Sequence, residues 1–168
     1  MINRSLSRDA EKRETSALHR SLRYGPLLLW MMFISFASTN EFSSLNTSEV
    51  VRPLVLWLLP NLNEVQLAAI HLSIRKLAHF AEYGLLAFLA SRAFATSSFP
   101  FIRRHWFRWG LLLVVLYSLI DEFHQSFVPS RSGSIFDSAI DVIGGLTVLL
   151  IVRVYHRRAE ESGSRQGS

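Results

Sequence analysis

Apolar positions along the chain gather in four blocks, Tyr24 to about Thr39, about Leu72 to Phe94, Trp106 to about Phe127 and Ile135 to about Tyr155. A helix crossing a bilayer needs ~20 mainly apolar residues, and only the fourth block supplies them without an awkward end. The first is the shortest and needs Asn40 to Phe42 at the interface. A secretory signal peptide is its alternative reading, opposed by a long basic leader and by Trp30, Met31 and Met32, which make an ordinary anchor. Between the first two blocks, "VVRPLVLWLLP" is apolar but too short to span, and Pro53 and Pro60 bound it, so an interfacial or re-entrant segment is expected. After Pro60, "NLNE" sets Asn61 three residues before Glu64, a capping-box-like start for a helix of about thirty residues that continues through the second block.

The pattern predicts an all-α integral membrane bundle of four transmembrane helices with one interfacial or re-entrant segment. Residues 1–22 form a basic cytoplasmic tail, residues 23–155 the four-span domain (spans about 24–39, 72–94, 106–127 and 135–155), and residues 156–168 a disordered cytoplasmic tail. Composition agrees, since 49% hydrophobic and 12% aromatic residues with only 18% charged are high for a water-soluble chain. A soluble helical bundle is the structural alternative, favoured by the charges inside the second span. The net charge of +5 lies largely in the tails, which argues for their cytoplasmic retention and against a nucleic-acid surface. With no cysteine there is no disulfide framework and no thiolate metal site.

Basic residues then orient the spans. Arg4, Arg8, Lys12, Arg13, Arg20 and Arg23 precede the first, Arg92, Arg103, Arg104 and Arg108 lie between the second and third, and Arg153, Arg157, Arg158 and Arg165 follow or end the fourth. The other two connections carry only Arg52 and Arg131, so both termini and the second connection are expected inside an inner or plasma membrane. In that orientation the ionisable residues within the spans share one depth, near the outer leaflet. Lys76, His79, Glu82 and Tyr83 occupy one face of the second span. The third ends on Asp121, Glu122, His124 and Gln125, and the fourth begins with Asp137 and Asp141, four residues apart. Each unpaired charge at mid-membrane costs about 2.5 to 3.5 kcal/mol, so these groups are expected to turn inward and meet.

The blocks "RKLAHFAEYGLLAFL" and "DEFHQSFVPSRSGSIFDSAIDVIGG" resemble the two signature blocks of the VanZ-like family of small bacterial membrane proteins, with "FISFAST" resembling the family's Ser-containing end of the first span. The resemblance covers roughly residues 74–145 and rests on the Lys76, His79 and Tyr83 face, Asp121 and Glu122 with Gln125, Arg131, the Asp137 and Asp141 pair, and Gly144. It implies a four-span envelope protein connected with antibiotic resistance, because the founding member is associated with tolerance of teicoplanin, a lipid-tailed glycopeptide. It implies no settled reaction.

Each of these residues also has a plainer role. Asp137 follows Ser134 by three and could only cap a helix, Lys76 could snorkel to headgroups, and His79 could be a satisfied interior histidine. Tyr83 could be a packing or belt residue, Arg131 could only bond turn carbonyls, and Gly144 with Gly145 read as close helix packing. Trp106 and Trp109 read as interfacial anchors. Charge counting limits the choice: Glu82, Asp121, Glu122, Asp137 and Asp141 oppose Lys76 and Arg131, with Arg75 free to turn away. Such a cluster requires protonated carboxylates, a charged His79 or a bound cation.

Two function classes follow. In the first, an outward-facing site of Lys76, His79, Tyr83, Asp121, Glu122, Gln125, Arg131, Asp137 and Asp141 binds an amphiphile: a lipid-linked wall precursor, a phospholipid or a lipid-tailed glycopeptide antibiotic. In the second, a membrane enzyme acts on a lipid headgroup, with Asp141 or Glu122 as base, His79 as acid or metal ligand, and Lys76 with Arg131 as anion clamp. Metal support is thin, since His79 and His124 stand among carboxylates without an "HExxH" or paired "ExxH" pattern. No cofactor is expected, because no Gly-rich phosphate loop is present. Beyond the bilayer and such a ligand, a homo-oligomer is allowed, and proton-coupled transport by four short spans would require one.

Overall fold

The computed structural model describes the backbone of residues 2–38, 44–127 and 135–166, and side chains within 20–38, 51–127, 135–159 and 161–162. Among the described residues it is entirely helical: α1 Ile2–Ala37, α2 Ser44–Leu58, α3 Glu64–Ala95, α4 Pro100–Arg104, α5 Trp106–Gln125 and α6 Ile135–Gln166. Four long helices thus correspond to the four apolar blocks. Only one described helix is long and apolar enough by itself to cross a membrane, the Ile135–Ala159 part of α6. The others carry ionisable residues inside their apolar stretches, Arg75, Lys76 and Glu82 in α3 and Arg108, Asp121 and Glu122 in α5.

Helix ends differ from the sequence reading in instructive ways. Asn63, not Asn61, caps α3: its side chain accepts from the Gln66 amide at 2.9 Å, and the Gln66 side chain accepts from the Asn63 amide at 3.1 Å. Asn63 sits immediately before the first helical residue, where a side-chain oxygen meets the unpaired amides of the first turn. Pro53 lies inside α2 and does not bound it, removing one amide donor from that helix. α1 starts far upstream of Tyr24 and continues through Pro26. α6 runs past Tyr155 to Gln166, so the tail expected to be disordered is helical over its described part. Its Arg, Ala and Glu residues favour helix, and no glycine interrupts them before Gly163. The short α4 was not expected; Pro100 opens it at a position where a missing amide costs nothing.

α3 is the central element, packed against α6, α5, α1 and α2. Its crossing with α6 is set by glycine. A Cβ on Gly144 would lie 2.4 Å from the Phe80 carbonyl oxygen, and one on Gly145 would lie 2.6 Å from a Val114 methyl. Backbone therefore meets backbone where α3 and α6 cross. Tyr83, Leu86, Ala87, Ala90, Val114 and Leu149 fill the core around this crossing, all fully buried. Cross-links fix the register of α1. Arg23 and Tyr24 donate to Ser98 and Ser97 just beyond α3, the Trp30 indole donates to the Glu82 carbonyl, and Ser38 meets Gln125 at the end of α5. Two ends of the bundle result: one gathers Ser38, the C-terminus of α5 and the N-terminus of α6, and the other gathers α4, the start of α5 and the distal part of α6.

Candidate functional site

The acidic end holds the candidate site. Asp141 lies one turn above the Gly144 crossing and is fully buried. Its Oδ1 lies 3.2 Å from Nδ1 of His79, itself buried on the facing side of α3. The Ser118 hydroxyl of α5 donates to Asp141 Oδ2 at 3.4 Å and to the Ser138 carbonyl at 3.2 Å, while Ser138 donates back to the Ser118 carbonyl. Three helices thus converge on one carboxylate. The close α3–α6 approach that glycine allows is what lets an imidazole and a carboxylate of ordinary length meet across the crossing.

A second group closes the top of α5. Gln125 is fully buried and donates through Nε2 to Asp121 Oδ2 at 2.8 Å, one turn below it on the same helix, and to Ser38 Oγ just beyond α1 at 3.4 Å. Glu122 is buried beside them. Tyr83 is fully buried in α3, its ring 6.4 Å from that of Tyr117. Its hydroxyl has no hydrogen-bond partner among the described residues. Tyr117 bonds with Ser35 and donates to the Met31 carbonyl, tying α5 to α1.

Towards the surface, Arg75 Nη2 approaches Asp137 Oδ2 at 3.8 Å, and both side chains are largely covered. Beside this pair a narrow cleft, with about 10 Å³ open to a water-sized molecule, is lined by Leu72, Arg75, Lys76, His79, Asp137 and Ile140. Its deepest part has room for roughly one water molecule.

The sequence-predicted residues are therefore gathered in part. His79 with Asp141, and Asp121 with Gln125, form direct contacts. Lys76, His79 and Asp137 share the cleft. Tyr83 and Glu122 are buried nearby, whereas His124 is exposed on the outer face of α5. Arg131 and the Ser134 cap lie outside the described residues. Lys76 does not make the ion pair expected for this face among the described residues. Arg75, which the helical wheel left free to turn away, is the cation that approaches Asp137. The sequence reading also missed Ser38, Ser118 and Ser138. A serine in an apolar helix is a weak signal, and only the facing carboxylate or carbonyl distinguishes it.

Chemically, the His79–Asp141 contact sets a ring nitrogen beside a carboxylate without a hydrogen bond between them, so it attracts by charge when the imidazole carries its second proton. No group of three or more His, Asp or Glu positioned to hold a metal ion occurs among the described residues. A family model described as VanZ/LLP1 matches residues 24–156. No curated protein and no solved structure matches significantly.

Proposed function

Because the chain belongs to the VanZ/LLP1 family, we propose that it is a multi-pass membrane protein whose acidic end faces outward and binds the headgroup of an amphiphilic envelope molecule. The ligand class is a lipid-linked wall precursor, a phospholipid or a lipid-tailed glycopeptide antibiotic, which connects the protein with envelope function and antibiotic tolerance. Four spans with both termini cytoplasmic follow from the arginine-rich connections at the opposite end. Support for bilayer contact comes from the apolar Ile135–Ala159 stretch and from large exposed side chains elsewhere, among them Leu29, Met32 and Phe36 on α1 and Leu116, Ile120 and Phe123 on α5. Such continuous apolar surface is unfavourable against water and natural against lipid.

The observation that carries the ligand reading is the cleft between α3 and α6. Arg75 Nη2 is buried there without a hydrogen bond, its contact with Asp137 being too long for one, and Lys76 and His79 line the same walls. An anionic headgroup oxygen would satisfy that donor. The cleft admits little more than such an oxygen, so the rest of the amphiphile would lie along the exposed Leu72 and Leu77. Native mass spectrometry of the detergent-purified full-length protein tests this. The wild type is expected to retain an amphiphile that Arg75→Gln/Lys76→Gln loses while still eluting as a folded species. A ligand-free wild-type spectrum, or retention unchanged by the double substitution, would overturn the reading.

The His79–Asp141 contact beside the cleft favours one alternative, a membrane enzyme acting on a lipid headgroup with His79 exchanging a proton and Asp141 holding the ring. Under that reading His79→Gln leaves retention intact and stops turnover of the bound lipid, read by mass analysis of extracted lipids.

A further inference from the structure

At the other end of the bundle lies a larger pocket that the outward site does not use. It has a volume of about 340 Å³ and opens where α4, α5 and the distal part of α6 meet. Arg104, Arg108, Arg153 and Arg157 line it, and no carboxylate stands among its lining residues. Four guanidinium groups around one concavity repel one another unless an anion lies between them.

The pocket is also built with some rigidity. The Arg153 guanidinium stacks over the Phe107 ring at 5.0 Å from its centroid, and His156 lies against Trp106 with ring centroids 5.5 Å apart. Both contacts hold α6 side chains against α5. His105, the N-cap of α5, makes no side-chain cap, and Trp106, Phe107 and Arg108 of the first turn all line the pocket. The first amides of a helix have no partner within it and point at whatever occupies its N-terminus, where the helix dipole favours negative charge. Planar guanidinium forks and helix amides are the donors that recognise phosphate oxygens.

We propose that this pocket binds the phosphate of an anionic phospholipid from the cytoplasmic leaflet. The proposal shares with the preceding section the membrane orientation but not the outward site. A lipid is favoured over soluble phosphate by the exposed apolar residues on the same elements: Phe101, which makes an edge-on ring contact with Trp109, and Leu112 one turn further along α5. They would lie beside the acyl chains of a lipid whose headgroup sits among the arginines, and a free phosphate gains nothing from them. Basic pockets at this level between helices are suited to anionic headgroups in general.

The test uses the full-length protein purified in neutral detergent and supplied with phosphatidylglycerol or phosphatidylcholine, retention being read by native mass spectrometry. The wild type is expected to retain phosphatidylglycerol in preference. Arg157→Gln should weaken that retention roughly fivefold and Arg108→Gln/Arg157→Gln roughly 25-fold, both losses shrinking as salt is raised. Arg92→Gln removes the same charge from an exposed position near the end of α3, outside the pocket, and should change retention less than about twofold. Both pocket arginines are exposed, so the variants should elute as the wild type does, and the single variant gives the answer if the pair disturbs folding. Equal loss in Arg92→Gln, no loss in the pocket variants, or displacement of the lipid by millimolar inorganic phosphate would each overturn the proposal. Repeating the pocket variants in the Arg75→Gln/Lys76→Gln background, which removes the cations of the outward cleft, isolates this pocket: the same roughly fivefold and 25-fold losses are expected there, so failure at one end is distinguishable from failure at the other.

Discussion

The two ends of the bundle use charge in opposite ways. At the acidic end Asp121, Glu122 and Asp141 are buried; Asp141 meets His79 of α3 and Ser118 of α5, while Asp121 accepts from Gln125 one turn on in its own helix, and Gln125 reaches Ser38. At the basic end Arg104, Arg108, Arg153 and Arg157 are exposed around an open pocket. A carboxylate has a short side chain and cannot reach water from within the bundle, so burial leaves it to polar partners inside the protein, across a helix interface for Asp141 and within α5 for Asp121. An arginine has a long stem that packs against apolar neighbours while its head stays in a polar medium, as Arg153 does over Phe107. The acidic end therefore joins helices, and the basic end stays open to its surroundings.

This contrast can be broken most severely at the crossing that supports the acidic end. Gly144→Leu would drive a side chain into the Phe80 backbone, which no rotamer change relieves. The expected cost is about 3 kcal/mol or more, with loss of monodisperse protein on size exclusion and of the His79–Asp141 contact. Next in size is Asp141→Ala, which strands His79 and Ser118 in a dry interior. It should lower stability by about 3 kcal/mol, seen as a fall in thermal midpoint, whereas Asp141→Asn keeps an acceptor for Ser118 and should lose about half as much. An equal loss from both would mean that the carboxylate charge, not the hydrogen bonding, holds the end together. The smallest effect is expected at the basic end. Arg108→Gln/Arg157→Gln should move the thermal midpoint by an amount within about 0.5 kcal/mol while changing lipid retention as described above. A large loss of stability there would erase the distinction between the two ends.

Much of the architecture was legible from pattern. The start of α5 at Trp106 coincides with the edge of an apolar block, because the transition from polar connection to apolar helix is abrupt there. The meeting of Asp137 and Asp141 of α6 with the polar face of α3 was legible too, since helical spacing and the cost of lone charges in an apolar interior leave few other destinations. What failed was finer. Asn63 and Asn61 are both plausible caps by residue type, and only the path of the chain after Pro60 selects between them. Arg75 and Lys76 are neighbours of equal charge at nearly equal spacing from His79, and only the packing of α3 against α6 selects the arginine for Asp137. Ser118 was invisible because a hydroxyl within "VVLYSLI" acquires meaning only when Asp141 faces it.

By itself the sequence determined that the chain is helical, that it carries long apolar segments, and that acidic residues collect at one end and arginines at the other. Those properties depend on local periodicity and on the transfer cost of each side chain, which are additive along the chain. Only the tertiary structure decided which cation meets which carboxylate, that Gly144 brings α3 and α6 to backbone contact, and that four arginines separated by up to fifty-three positions enclose one pocket. Those depend on how helices cross, a property of pairs of surfaces that no single segment contains.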